Sequence, residues 1–536
     1  MRPLSLLLPL LAATGLVAAR SPQHVGKKMP SLEAMTSRRL VERTPKPPPN
    51  NGYPTHPGKE HGFLNKKTRK FAVDGSKIPE VDFDVGESYA GLLPISDKKD
   101  EDGQLYFWFF PSTATDVPAE EIPVIIWLNG GPGCSSLEGF LQENGPFLWQ
   151  YGTFKPVKNP WTWVKLAHMV WVEQPVGTGF TQGTPTATSE EDVAEQFAGF
   201  FKNFVNTFDL QGKELYITGE SYAGYYVPYI SDNFISQNDT DYYNFKGMMI
   251  YDPSLASDMI QEQIPAVAFV DYWNHLLGLN STFLSEIHTL ADTCNYTNYL
   301  TTNLAYPPPG PFPPEPVLTE DCDLFNKIFN AILLINPCAD IYQVATTCPV
   351  LWDVLGYPGS FEYLPAGASV YFNRTDVQRA INAPIQPWSE CSAGDVFVNG
   401  TDTSLPSSYA VLPRVIDASR NVIIAHGLLD YVLLADGSLL AIQNMTWGGL
   451  QGFQEEPRGE FYVPYHEEQV DKGTLAGAGV MGRTGRERGL TYVDVVLSGH
   501  MVPQYAPSAA LRMVEVLLGR VEGLSSREGF TVGVGE

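Results

Sequence analysis

The segment Gly219-Glu220-Ser221-Tyr222-Ala223-Gly224 constrains the fold of this 536-residue chain more than any other. The run before it, 214–218, has the composition of a short buried strand, and 225–235 has the spacing of a helix. A serine on a sharp turn between strand and helix keeps its hydroxyl exposed, because small neighbours let the chain fold back on itself. The positive end of the following helix favours negative charge developing at that oxygen. The general pattern is G-x-S-x-G. It is met in part: Ala223 stands where its last glycine would be, and Gly224 follows one place later. The segment predicts a nucleophile, Ser221.

The rest of the chain supplies a sheet for such a turn. Residues 88–95 and 105–110 flank a polar turn and predict an antiparallel hairpin. Residues 123–128 and 167–172 are uninterrupted apolar runs, closed by Asn129-Gly130-Gly131 and by Gln174-Pro175. Such runs suit central strands covered on both faces. Ser189, three residues before Asp192, starts a helix. Along it Val193, Phe197, Phe200, Phe201, Phe204, Val205 and Phe208 form a core-facing stripe. Further strands are predicted at 246–251, 421–425 and 491–497. Strands alternating with helices imply an α/β fold with a mostly parallel central sheet and helices on both faces. Between 261 and 367 the pattern breaks into irregular helix signals, with four of the six cysteines and Pro307-Pro308-Pro309. A cap inserted on the carboxyl side of the strands is expected there. The core is then expected at 71–260 and 368–520, with a tail at 521–536.

The amino terminus reads as a targeting segment. Arg2, the apolar run 4–17 and Val17-Ala18-Ala19 make residues 1–19 a signal peptide. That run is too short for a membrane anchor, and no later run of ~18 apolar residues follows. Secretion is expected, with a vacuole or another acidic lumen as the alternative. Asn238, Asn280, Asn295, Asn373, Asn399 and Asn444 each begin a glycosylation sequon, in keeping with that route. Residues 20–70 hold twelve Lys/Arg against three Glu and read as a basic propeptide or disordered leader, with Arg38-Arg39 and Lys66-Lys67 as processing pairs. The first 70 residues carry +10, so the remainder carries −35 of the net −25. The acidic body argues against nucleic acid or anionic membrane as a partner. Its self-repulsion relaxes as carboxylates protonate, which points to an acidic working environment. Cys134, Cys294, Cys322, Cys338, Cys348 and Cys391 make an even number, as for disulfides in an oxidising compartment, with 15 possible pairings. None has the C-x-x-C spacing of a zinc site, and no metal or organic cofactor is implied.

A serine hydroxyl needs a base, and the base needs an acid to orient it. Of nine histidines, His500 directly follows an apolar strand, in Leu497-Ser498-Gly499-His500-Met501-Val502-Pro503, where a strand-end loop is expected. Asp430 sits a few residues past the strand at 421–425, and Asp417 and Asp436 are worse placed. The order nucleophile, acid, histidine is that of one large hydrolase class. The glycine-rich loop 129–136 exposes backbone N–H groups after an early strand. With the N–H of Tyr222, the N–H of Gly131 is expected to form the oxyanion hole. No G-K-[ST] follows, so a phosphate loop is disfavoured.

Several longer motifs resemble the serine carboxypeptidase family: 127–136, Glu143-Asn144-Gly145-Pro146, Asn159-Pro160-Trp161, 174–180, the Ser221 segment and Gly499-His500-Met501-Val502-Pro503. They occur in order between about Ser88 and Gly519. The resemblance is greatest to secreted fungal members. It implies an α/β-hydrolase fold and removal of single amino acids from peptide C-termini at acidic pH through an acyl-enzyme. It implies a triad of Ser221, Asp430 and His500, an oxyanion hole at Gly131 and Tyr222, and recognition of the substrate's terminal carboxylate by Asn129, the Gly130 backbone, Glu143 and Glu220. It implies a Cys134–Cys391 disulfide, with Cys294–Cys322 and Cys338–Cys348 as the further expected pairs. Two departures stand out: 430–434 lacks the polar or proline residue common four positions after the acid, and Glu173 replaces a frequent aspartate. Only local differences are expected from them.

Two carboxylates can bind a third only by sharing protons, and burial with like charge raises carboxyl pKa values. Glu143 and Glu220 are therefore expected to stay protonated in mild acid. A free imidazole titrates near 6.5, so activity in acid asks either for a depressed His500 or for tolerance of a small neutral fraction. Other activities on this framework are acyl transfer from an activated ester and simple ester hydrolysis, neither of which needs the carboxylate-binding cluster.

Overall fold

The computed structural model describes residues 62–533 apart from 116, 357–368, 393 and 468–474. The expected signal peptide and most of the basic leader lie outside the described residues. Residues 62–70, within the expected leader, pack on the body. The N–H groups of Gly62 and Phe63 donate to the Glu87 carboxylate at 2.9 Å, the Phe63 ring lies 5.3 Å from Phe109, and Lys67 pairs with Asp209 at 2.7 Å. Of the two processing pairs, Lys66-Lys67 lies in this docked segment, and Arg38-Arg39 lies outside the described residues.

An eleven-stranded sheet organises the body. Its strands are β1 (Ala72–Val73), β2 (Ser88–Pro94), β3 (Gln104–Phe110), β4 (Val124–Leu128), β5 (His168–Glu173), β6 (Leu215–Glu220), β7 (Phe245–Tyr251), β8 (Val422–Gly427), β9 (Gly459–Val463), β10 (Gly479–Glu487) and β11 (Leu490–Val495). They lie in the order β1-β2-β3-β5-β4-β6-β7-β8-β11-β10-β9. The six neighbours from β5 to β11 run parallel, and antiparallel strands extend both edges. The predicted β2–β3 hairpin forms.

The central strands are apolar on both faces because each face has its own core. In β4, Val124, Ile126 and Leu128 enter one cluster while Ile125 and Trp127 enter the other, the two-residue alternation of a strand. The first cluster is roofed by α1 (Glu190–Phe208) and α2 (Ala223–Gln237). Ser189 caps α1 by accepting from Asp192 N–H, and the phenylalanine stripe meets the sheet edge-on, with Phe204 5.4 Å from Phe107. Between β7 and β8 the chain forms α3 (Ala266–Leu277), α4 (Ser281–Thr293), α5 (Tyr296–Asn303), α6 (Leu324–Ile335) and α7 (Leu412–Ser419). After β8 comes α8 (Ala435–Asn444), and after β11 comes α9 (Pro507–Leu517), which backs the second cluster. Disulfides join Cys134 to Cys391, Cys294 to Cys322 and Cys338 to Cys348.

This topology decides where chemistry can occur. Asn129, Ser221, Asp252, Asp430 and His500 all lie at or just beyond the carboxyl ends of parallel strands. Open α/β sheets gather their sites along that edge.

Candidate active site

Ser221 follows β6 with φ at +63°, a left-handed conformation rare for a residue with a side chain. Hydrogen bonds hold the turn: its N–H donates to Tyr251 O at 3.0 Å, and its carbonyl accepts from the N–H groups of Gly224 and Ser254 at 2.8 and 2.9 Å. A Cβ on Gly219 would lie 2.3 Å from Leu128 O and 2.7 Å from the Ala223 Cβ. The incomplete motif is thereby explained, since the glycine at 219 leaves room for alanine at 223. A Cβ on Gly224 would lie 2.2 Å from Ser254 O, so this glycine serves close packing.

The loop after β4 presses against the elbow. A Cβ on Gly130 would sit 2.4 Å from Tyr222 N and 2.8 Å from Glu220 O, so only glycine permits the approach. The N–H groups of Gly131 and Tyr222 have no acceptor among the described residues. The Cys134–Cys391 disulfide clamps this loop, with Ser135 N–H donating to Glu390 O at 2.7 Å and Ser392 N–H to Gly133 O at 2.8 Å. Glu173 is its buried anchor, accepting from the Ser135 hydroxyl, from Trp388 Nε1 at 3.0 Å and from Phe180 N–H at 2.6 Å. Burial raises the Glu173 carboxyl to about 7 against these hydrogen bonds. The glutamate at this position thus has a structural task beside the loop that follows β4.

Asp430 and His500 meet as the chain order predicts. Asp430 Oδ2 lies 2.7 Å from His500 Nδ1, both side chains are buried, and Asp430 Oδ1 accepts from Val432 N–H at 2.8 Å. His500 N–H donates to Tyr342 O at 2.8 Å, and the Tyr342 ring lies 5.1 Å from the imidazole. The opposite nitrogen, Nε2, is buried and unbonded, so Ser221 Oγ makes no hydrogen bond to it in this structure. Resting hydrolases often show this contact long, and it tightens when substrate binds. Burial disfavours the charged ring, while the charge of Asp430 and its hydrogen bond favour it and raise His500 above the ordinary imidazole value.

The predicted carboxylate-binding residues lie together. Glu143 rides on a π-turn, Phe140–Asn144, a distortion frequent at functional sites. Asn129 Oδ1 accepts from Trp127 Nε1 at 2.7 Å and from Gly139 N–H at 3.2 Å. Its amide nitrogen is thereby aimed at Glu220 Oε1, 2.9 Å away, and at Glu138 Oε2, 3.4 Å away. Burial first, then each other's charge or that of Glu138, holds Glu143 and Glu220 well above the usual carboxylate range. Burial likewise raises Glu138 to about 7.

The sequence reading missed Glu138, Asp252 and His426. Asp252 is fully buried, accepts from Gly427 N–H at 2.9 Å and lies 2.9 Å from His426 Nδ1. Asp252, Asp430 and His500 each bring an N or O atom within 4.8 Å of the others, a spacing that could hold a metal ion, but these groups already engage one another and the backbone. Of the six sequons, Asn238, Asn280, Asn295, Asn373 and Asn399 are exposed and Asn444 is half-buried. Asn373 spends its amide on the Trp388 backbone.

The serine carboxypeptidase family profile matches residues 79–520. A probable serine carboxypeptidase of Arthroderma benhamiae is 56% identical over 96% of this chain and 97% of its own length. Serine-type carboxypeptidase F of Aspergillus niger is 46% identical over 87% of this chain and 90% of its own. The crystal structure of a prohormone-processing carboxypeptidase of Saccharomyces cerevisiae superposes with a TM-score of 0.64 at 21% identity, covering 86% of this chain and 98% of that one, a likeness of fold.

Proposed function

The chain belongs to the serine carboxypeptidase family, and from that premise we propose that Ser221, Asp430 and His500 are its triad and that Asn129, the Gly130 backbone, Glu143 and Glu220 hold the free carboxylate of a peptide. The observation that carries the reading is the buried Glu143–Glu220 pair lying one residue from Ser221. Because Glu220 directly precedes the nucleophile, a carboxylate seated there would bring the last peptide bond to Ser221. The pocket thus selects the last peptide bond.

His500 Nε2 takes the Ser221 proton as Oγ bonds to the carbonyl carbon. The oxyanion is met by the N–H groups of Gly131 and Tyr222. Nε2 then gives its proton to the leaving nitrogen, the C–N bond breaks, and a free amino acid departs. Water, deprotonated by His500, attacks the acyl-enzyme and restores the serine. Asp430 keeps the proton on Nδ1 and so leaves Nε2 as the acceptor. The helix-rich insertion after β7 acts as a cap, a reading supported by Tyr342, which sits on the His500 loop. The signal-like amino terminus supports an extracellular enzyme, or one in an acidic lumen.

The test is incubation with an N-blocked dipeptide and its amide in mild acid. The expected result is release of the C-terminal amino acid from the peptide, abolished by Ser221→Ala. Endoproteolysis, or full activity in the variant, would refute the reading.

A further inference from the structure

A second carboxyl stands behind the triad. Asp252 directly follows β7, the strand between the serine strand β6 and the aspartate strand β8. Its φ is +42°, and its N–H donates to Ala425 O at 2.8 Å, which fixes it across the edge of β8. The side chain is fully buried. It accepts from Gly427 N–H at 2.9 and 3.2 Å, and a carboxyl oxygen of Asp252, one of Asp430 and a ring nitrogen of His500 lie within 4.8 Å of one another.

Behind it lies His426. Ser438 Oγ, which accepts from Gln261 Nε2 at 3.0 Å, lies 2.9 Å from His426 Nε2, and His426 Nδ1 lies 2.9 Å from Asp252 Oδ1. Burial depresses His426 to about 4, so this ring is neutral in mild acid. Asp252 thus accepts a hydrogen bond from Gly427, packs against a neutral ring and meets a carboxyl on its other side. The contact between carboxyls is attractive only with a proton in it.

We propose that Asp252 is a positioning residue of the triad, holding a proton that it donates to Asp430 and thereby keeping His500 able to act as a base in acid. The proposal rests on the assignment of Ser221, Asp430 and His500. With the proton in place the two carboxyls carry one negative charge between them, and Asp430 accepts less strongly from His500. The imidazolium is then less stabilised, and Nε2 is freed at lower pH than beside a bare aspartate. The charged and titratable groups facing this pair are His426 from β8, His500 after β11, Glu220 at the end of β6 and Glu143 from the π-turn. Burial, then the charge of Asp430, raises the Asp252 carboxyl well above the aspartate range, consistent with a retained proton.

The experiment is kcat/KM against pH on a peptide amide, which lacks the carboxylate that Glu143 and Glu220 would read. Asp252→Ala removes the donor, and its acid limb should move up by about one pH unit, a roughly tenfold loss at the acid end. Asp252→Asn can still accept from Gly427 and donate to Asp430, and should keep the limb within about 0.3 units of wild type. A limb unmoved in Asp252→Ala, or moved down by a unit in Asp252→Asn, overturns the proposal. If Asp252→Ala does not fold, the infrared difference between wild type and Asp252→Asn decides: a protonated carboxyl band should vanish, and its persistence is contrary. Ser221→Ala tests the triad separately, because its activity depends on the nucleophile at every pH.

Discussion

Glu143 and Glu220 lie against one another in the interior, and both stay neutral well above the usual carboxylate range. A neutral carboxyl donates a hydrogen bond to an incoming carboxylate, whereas an ionised one repels it. As pH rises and this pair loses its proton, KM for a peptide should climb by about tenfold per unit beyond the transition, while KM for the matching amide stays nearly level. Glu220→Gln fixes a neutral donor at one position and should flatten the peptide curve. Parallel curves for peptide and amide in wild type would sink the idea. Residues with an obvious chain position were legible in the sequence. Ser221 sits in a motif, and His500 and Asp430 each follow an apolar run. Asp252 was not legible, because Tyr251-Asp252-Pro253 reads as an ordinary turn. It joins the site only because β7 lies between β6 and β8, a fact of strand order. Glu138 was missed for a similar reason, since only the turn after Asn129 shows that it faces the same amide.

The loop closed by Cys338 and Cys348 braces both the Asp430 and the His500 loops. Tyr342 O accepts from His500 N–H, Ile341 O accepts from Tyr431 N–H at 2.9 Å, and Val344 N–H donates to Leu429 O at 3.1 Å. The residues on either side of Asp430 and the backbone of His500 are thus tied to a single ten-residue loop. Cys338→Ser with Cys348→Ser should lower stability by about 3 kcal/mol through the freed loop. It should also lower kcat by roughly tenfold or more, because small misplacements of a catalytic group are costly. Cys294→Ser with Cys322→Ser should lower stability while sparing kcat, since that bridge ties the end of α4 to the turn before α6. Equal kcat losses in the two double variants would show that the brace does nothing specific. At this scale the parallel strands were legible from their apolar runs, and the break in their pattern after β7 from its cysteines and prolines. The last two antiparallel strands, β9 and β10, were not. Gly459–Val463 and Gly479–Glu487 carry glycine, arginine and glutamate, because an antiparallel part of a sheet can leave one face to water.

The whole molecule stores protons in its interior, and this sets the sign of its stability against pH. Burial raises Glu138 and Glu173 to about 7 and Glu262 to about 8. Glu190 and Glu390 are raised further by the same cause, with neighbouring carboxylates adding to it. A carboxyl whose folded pKa lies above its unfolded value stabilises the fold fully below the unfolded value. That contribution is lost as pH rises through the folded one. For Glu173 the interval runs from 4.5 to about 7, worth roughly 3 kcal/mol at most. Two histidines pull the other way. Burial lowers His168 to about 3 and His426 to about 4, so they favour the fold above 6.5 and weaken it as pH falls below. The raised carboxyls outnumber them, and the excess of 60 acidic over 35 basic residues adds repulsion as pH increases. The unfolding midpoint should therefore be higher near about pH 5 than near about pH 8, by several degrees. Glu173→Gln keeps a neutral acceptor for Trp388 and Phe180 and should remove part of that slope, leaving the acid midpoint close to wild type. A midpoint that rises from acid to alkaline pH would mean that these carboxyls are ionised in the folded protein, and with them the neutral pair on which substrate recognition depends.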